Sequence, residues 1–336
     1  MKRLISCAFA VLALCDSPIS SANDSTARVG VGGLEFVKTE NIEMVSEVLE
    51  ISALNIKVTY RFLNTSTQDI KTPVAFPMPK FDLMGIVGSG GKSSPLESFR
   101  NFVDGQPVSV KKRRVYLINN MDVSDKLRKI GLSEEQILDP NFRCTDSVVD
   151  SDILPDCTLT KDQVAAIQKQ KLFGGAIQET AYWEQVFPAG KEIEVVHQYK
   201  PYVGHGADHG TTFNDYRGAK LKFADACLDD GAFRILRRGA PDADWASGRD
   251  DAFLYFLDIE YILGTGRNWK GPIKDFKLIL KKRAPEDVVS LCFPGHPQKT
   301  SPITIEFSQT NFVPQDKLVV YFFERHSEAT GSNYPR

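Results

Sequence analysis

The stretch Ile51–Pro79, ISALNIKVTYRFLNTSTQDIKTPVAFPMP, decides the fold class. Ile56, Val58, Tyr60 and Phe62 alternate with Lys57, Thr59 and Arg61, the period of two that a half-buried strand requires. The polar run Asn64–Asp69 supplies turn-forming side chains, and Ile70, Thr72, Val74 and Phe76 resume the alternation. The simplest reading is an antiparallel hairpin, stopped at Phe76-Pro77-Met78-Pro79 because proline cannot donate to a ladder.

Towards the N-terminus, Lys2 and Arg3 precede an apolar run from Leu4 to Leu14, followed by Ser20-Ser21-Ala22. This is the pattern of an export signal cleaved after Ala22, and the run is too short for the roughly 20 apolar residues a spanning helix needs. An exported, periplasmic or secreted protein with no integral membrane segment in the mature chain is therefore expected. Loss of Lys2, Arg3 and Asp16 takes the net charge from −2 to −3, a balance that asks for no nucleic-acid partner. Of six cysteines, Cys144, Cys157, Cys227 and Cys292 remain after cleavage. An even count in an exported chain favours disulfides. Three connectivities are open; pairing of Cys144 with Cys157 and of Cys227 with Cys292 is the preferred one. The absence of any C-x-x-C pair counts against a zinc–thiolate site.

Beyond the central stretch, Gly88-Ser89-Gly90-Gly91-Lys92-Ser93 lacks the leading glycine of a phosphate-binding loop, since Ile86 stands there, and reads as a flexible loop. Asp104-Gly105 marks a hairpin between Phe102-Val103 and Gln106-Pro107-Val108. The basic run Lys111-Lys112-Arg113-Arg114 reads as a solvated turn before the strand Val115–Ile118. From about 122 to 175 the composition turns helical. Ser133-Glu134-Glu135-Gln136 and Thr160-Lys161-Asp162-Gln163 each match a capping box, so a small helical insertion is expected there.

Sheet returns at Tyr182, and Ile193, Val195, His197 and Tyr199 alternate on one face, which makes His197 a hydrogen-bonded core histidine rather than a ligand. In Gly204-His205-Gly206-Ala207-Asp208-His209-Gly210, His205, Asp208 and His209 would bind zinc or copper if this loop folds so that all three converge. Phe253, Tyr255, Leu257, Ile259 and Tyr261 form a strong strand, and further alternating segments follow at Phe276–Leu280, Val289–Phe293, Ile303–Phe307 and Leu318–Phe322. Asp258 and Glu260 share its polar face and, with Asp225, Asp229 and Asp230, are candidates for paired catalytic carboxylates; alternating acid on a half-exposed strand is the commoner reading. No nucleophile-elbow or zinc-protease motif occurs, and nothing in the sequence asks for a cofactor.

With these residues laid out, the chain resembles a bacterial exported family, the domain of unknown function 4424. The likeness runs through Asn23-Asp24-Ser25 with Ala27, Gly32-Gly33-Leu34, Ile42, Met44, Glu47, Leu49, Ile51 and Ser52. It continues in Val58, Tyr60, Phe62 and Asn64, Val74-Ala75-Phe76-Pro77 with Pro79, Phe187 with Gly190, and His197, Tyr199, Pro201 and Gly204. Asn268–Ile273, Phe276, Ser290 and Cys292 complete it. The resemblance implies export and no particular reaction or ligand. A Tyr-x-Phe-x-Asn-Thr strand, an F-P-x-P end and a later Asp-Gly turn also resemble, over the first half only, the vault and inter-alpha-trypsin type of β domain, which implies a sandwich used as scaffold. Within the C-terminal signature, Trp269 and Lys270 are either a ligand-facing pair or the core cover of a hairpin turn at Gly271-Pro272; the core cover is preferred.

The expected architecture is therefore mainly β: an antiparallel sandwich with an N-terminal β region over 23–205, carrying the helical insertion, and a C-terminal antiparallel region over 206–336. The expected function is a binding or scaffold module of the bacterial envelope, its partner an envelope protein or glycan. A carboxylate hydrolase and a metal-handling protein are the alternatives.

Overall fold

The computed structural model describes residues 24–30, 33–82, 94–138, 159–209, 216–239 and 253–324. In chain order, the first strands are β1 (Ser25–Gly30), β2 (Gly33–Phe36), β3 (Ile42–Ile51), β4 (Ile56–Asn64), β5 (Ile70–Pro77) and β6 (Phe81–Asp82). A one-turn helix α1 (Pro95–Ser98) leads to β7 (Arg100–Val103), β8 (Gln106–Pro107), β9 (Lys111–Ile118) and β10 (Met121–Asp122). Helices α2 (Ser124–Ile130), α3 (Glu134–Leu138) and α4 (Lys161–Gln170) precede β11 (Ala176–Phe187), β12 (Glu192–Tyr199) and β13 (Gly204–His209). Then come α5 (Tyr216–Lys222), α6 (Asp230–Gly239), β14 (Phe253–Ile262), β15 (Ile273–Lys281), β16 (Val288–Leu291), β17 (Gln298–Ser301), β18 (Thr304–Phe312) and β19 (Lys317–Glu324).

The described strands form three sheets. The first runs β10-β9-β11-β5-β1-β2 with β6 beside β11; the second runs β17-β18-β15-β3-β4-β12-β7-β8; the third runs β13-β14-β19-β16. The second sheet takes strands from both sides of residue 205. All pairings are antiparallel except β3 with β15. One core joins the sheets: Ile56, Val58, Tyr60 and Phe62 meet Phe76, Trp183 and Phe187 from the first sheet and Ile259, Tyr261 and Val320 from the third. The mainly β, layered class expected from the alternation is what the chain adopts.

The hairpin expected within Ile51–Pro79 does not form. β4 pairs with β3 and β12, whereas β5 pairs with β1 and β11 in the other layer. A period of two fixes which face a residue takes, not which strand lies beside it. The polar run is a corner between sheets, and fully buried Asn64 holds it. Its Nδ2 donates to the carbonyls of Gln68 and Phe187, both at 2.8 Å, while its Oδ1 accepts from the Ser66 amide and hydroxyl. Two other loops expected from composition are strands: Lys111–Arg114 lies within β9, and Gly204–His209 is β13. β9 accommodates the basic run because Arg113 pairs with Asp122, and Arg114 with Glu97 and Glu179.

The Asp104-Gly105 hairpin joins β7 to β8, both turn residues having positive φ. The described parts of the expected helical insertion are helical, as α2, α3 and α4, and both capping boxes are made, by Thr160 with Gln163 and by Ser133 with Gln136. Leu127, Leu132, Ile137 and Ile167 pack it against Tyr116 of β9 and Ile177 of β11. Unforeseen were α5 and α6, which cover the outer side of the third sheet through Phe223, Phe233 and Leu236 against Val288 and Phe323. Among the described residues no helix is long and apolar enough to cross a membrane.

Candidate functional site

Two places in the fold concentrate chemistry. The first is interior. His197 points from β12 into the core, where its Nε2 lies 2.9 Å from Oδ1 of Asp24, the residue just before β1. Both are sealed, and rings of Tyr60, Phe76, Phe99 and Trp183 surround the imidazole at centroid distances of 5.1–5.6 Å. Burial pushes the Asp24 carboxyl above the usual range, with His197 pulling the other way.

A bulge between Met44 and Ser46 reverses the facing of β3, so that Glu47 follows Ile42 and Met44 into the core. Near it the hydroxyls of Tyr60 and Tyr261 share a hydrogen bond of 3.1 Å. Burial, reinforced by Glu47, raises both phenols well above their ordinary range. Trp269 donates from Nε1 to the Asp24 carbonyl at 2.6 Å, and Asn268 donates from Nδ2 to the Ser25 hydroxyl at 2.9 Å. These groups tie the chain before β1 to the second sheet and to the turn before β15. Asp24, Glu47, Tyr60, His197, Tyr261 and Trp269 are all buried, so the contacts of this cluster are made within the core.

The second place is a surface cleft of about 570 Å³ where the edges of the second and third sheets part. Its walls are Val289 and Leu291 of β16, Leu280 of β15, and Ile305 and Phe307 of β18, with Phe293 and Pro294 in the following loop. The disulfide Cys227–Cys292 borders it, clamping the 3₁₀ turn Ala224–Ala226 and the start of α6 to the end of β16. Asp229, Ser290 and Gln315 are its polar rim. Asp229 caps α6 by accepting the Ala232 amide at 2.6 Å, and the Ser290 hydroxyl donates to the Ala226 carbonyl at 2.7 Å. A concavity of this size is large enough to hold a small molecule.

The other residues singled out from sequence fall elsewhere. Cys227 and Cys292 are bonded as preferred, whereas Cys144 and Cys157, like the glycine-rich loop at 88–93, lie outside the described residues. Trp269 is 1 % exposed and faces the core, so of that pair only Lys270 reaches the surface, where it pairs with Glu43 at 3.2 Å. His205 is exposed on β13; the side chains of Asp208 and His209 lie outside the described set, and among the described residues no three metal-binding side chains gather.

Asp258 faces Tyr321 across β14 and β19, and the Tyr321 hydroxyl donates to Asp225 at 3.0 Å. Burial, with Asp225 adding to it, raises the Asp258 carboxyl, and Glu260 is tied to Lys317 at 3.0 Å. Of the five candidate carboxylates only Asp229 lines the cleft. Sequence reasoning missed the cleft walls and the α5–α6 cap; Asp229 followed by Asp230, Phe233 and Leu236 is the helix signal that would have found the latter.

The fold and the cleft define a layered β protein with a small-molecule-sized concavity and a sealed polar core. The chain belongs to the family described as Domain of unknown function (DUF4424), which matches residues 22–321. The residues by which it resembles that family include Asp24, Glu47, Tyr60, Asn64, His197 and Trp269, which build the interior cluster and the corner. No curated protein matches the chain. Among solved structures, the crystal structure of "a putative nutrient binding protein" from Legionella pneumophila is similar at 13% identity and a TM-score of 0.43, over 90% of this chain and 70% of that one.

Proposed function

We propose that this chain is an exported binding module of the bacterial envelope, and that its cleft beside the Cys227–Cys292 bridge takes up a small, largely apolar ligand. The cleft carries the reading: about 570 Å³ bounded by core-type side chains that solvent reaches. Export is supported by the cleavable leader pattern Lys2–Ala22 and by the cysteine bridge, which persists in an oxidising compartment. The cleft walls Val289, Leu291, Phe293 and Ile305 pack against the same core that contains Leu280 and Phe307.

The test is a fluorescence titration of the mature protein with N-phenyl-1-naphthylamine, a neutral probe that brightens on leaving water. Saturable binding is expected, lost in Ile305→Arg, whose side chain fills the cleft while its charge reaches solvent. Circular dichroism melts of the variant check that it folds. Equal binding by wild type and a folded Ile305→Arg, or no saturable signal, overturns the reading. Fractionation of expressing cells tests the location, with the mature form expected outside the cytoplasm.

A further inference from the structure

The cleft is asymmetric in charge. Among its described lining residues Asp229 is the only ionisable side chain apart from the bonded cysteines, with no lysine, arginine or histidine beside it in that set. Among the described lining side chains the donors that could receive an anion are neutral, the Gln315 amide and the Ser290 hydroxyl. Pro294 and Pro297 on the rim have no amide hydrogen, and the Ser290 hydroxyl is spent on the Ala226 carbonyl. An anionic head group would lose its hydration at this mouth and find little in return.

A cation meets the opposite conditions. Asp229 reaches the rim from the cap of α6, where the helix N-terminus offsets roughly half of its charge and leaves the remainder at the mouth, while Asp230 beside it is paired with Lys220 at 3.9 Å. Inside, Phe293 and Phe307 stand edge to face, ring centroids 5.3 Å apart at 72°, and offer aromatic surface that attracts cations as well as apolar groups.

We infer that the ligand of this cleft is an apolar molecule bearing one cationic group, its apolar body between Leu291, Phe293, Ile305 and Phe307 and its positive end at Asp229. This rests on the binding reading above and adds the sign of the charge. A ligand of the same body with a carboxylate is discriminated against.

The experiment displaces bound N-phenyl-1-naphthylamine with decyltrimethylammonium or with decanoate, equal in tail and opposite in charge, each below its micelle concentration. The ammonium is expected to compete at least about tenfold better, a difference near 1.4 kcal/mol, and the ratio should shrink as salt is raised. Asp229→Asn, which keeps the helix cap, is expected to bring the two within about threefold of each other. Equal competition in the wild type, stronger competition by decanoate, or an undiminished ratio in Asp229→Asn would refute the charge selection while leaving the cleft as a binding site. Absence of probe binding would remove both ideas together.

Discussion

Replacing Asp24 by alanine is expected to unseat the interior cluster, at a cost that the geometry sets. The substitution takes away the one hydrogen-bond partner of His197: Nδ1 has none among the described residues, and Nε2 has only Asp24 at 2.9 Å. A buried polar group left unsatisfied costs about 1–3 kcal/mol. The Trp269 bond survives because it goes to the Asp24 backbone carbonyl. A loss of about 2–3 kcal/mol is therefore expected for Asp24→Ala in urea unfolding followed by tryptophan fluorescence. Trp183, 5.2 Å from the imidazole, helps report on the site. His197→Leu should cost a similar amount. The double variant, with neither partner orphaned, should fall short of additivity by at least about 1 kcal/mol. A loss below about 1 kcal/mol for Asp24→Ala, or strict additivity, would show that the pair does not hold the core.

Four further outcomes are expected. Because burial raises the Asp24 carboxyl, its contribution to stability is full below the unfolded value near 3.9 and declines as pH rises through the higher folded value. The stability difference between wild type and Asp24→Asn, measured in urea from pH 4 to 7, should therefore move in favour of the variant as pH increases. Removing the disulfide by Cys227→Ser with Cys292→Ser frees a separation of 65 residues and should cost up to about 4 kcal/mol by chain entropy, read as a lowered urea midpoint. Asn64→Ala removes the Asn64 donor from the buried Phe187 carbonyl and loosens the corner at Ser66 and Gln68, and should cost about 1–3 kcal/mol in the same assay. In Gly175→Ala the new Cβ would stand 2.6 Å from the Leu117 carbonyl oxygen and the Tyr116 ring, so a loss of about 1–3 kcal/mol is expected, with protease cutting first in the helical insertion.

Local signals in the sequence were reliable where the physics is local. The alternation in Ile56–Phe62 and Phe253–Tyr261 marks strands because side chains on a pleated backbone point to opposite faces, whatever lies beside them. The capping boxes at Ser133 and Thr160 and the Asp104-Gly105 turn are likewise closed within four residues. The placement of His197 in the core followed from the company it keeps on one strand face.

What sequence did not reveal depends on residues far apart. Whether β4 turns back on itself or crosses to the other layer is decided by Asn64 reaching the carbonyl of Phe187, 123 residues on. Glu47 reads as a surface residue until one extra residue in β3 flips its face. Asp24 and His197 are separated by 173 residues, and β3 pairs in parallel with β15 across more than 200 positions.

Composition and periodicity thus determined that this protein is a layered β structure with a capped helical insertion, since both follow from the geometry of a few consecutive residues. The tertiary structure alone decided the partners of each strand, the sealed acid–imidazole core and the cleft between two sheet edges. Burial and pairing are properties of space, and a one-dimensional pattern carries the face of a side chain but not its neighbour.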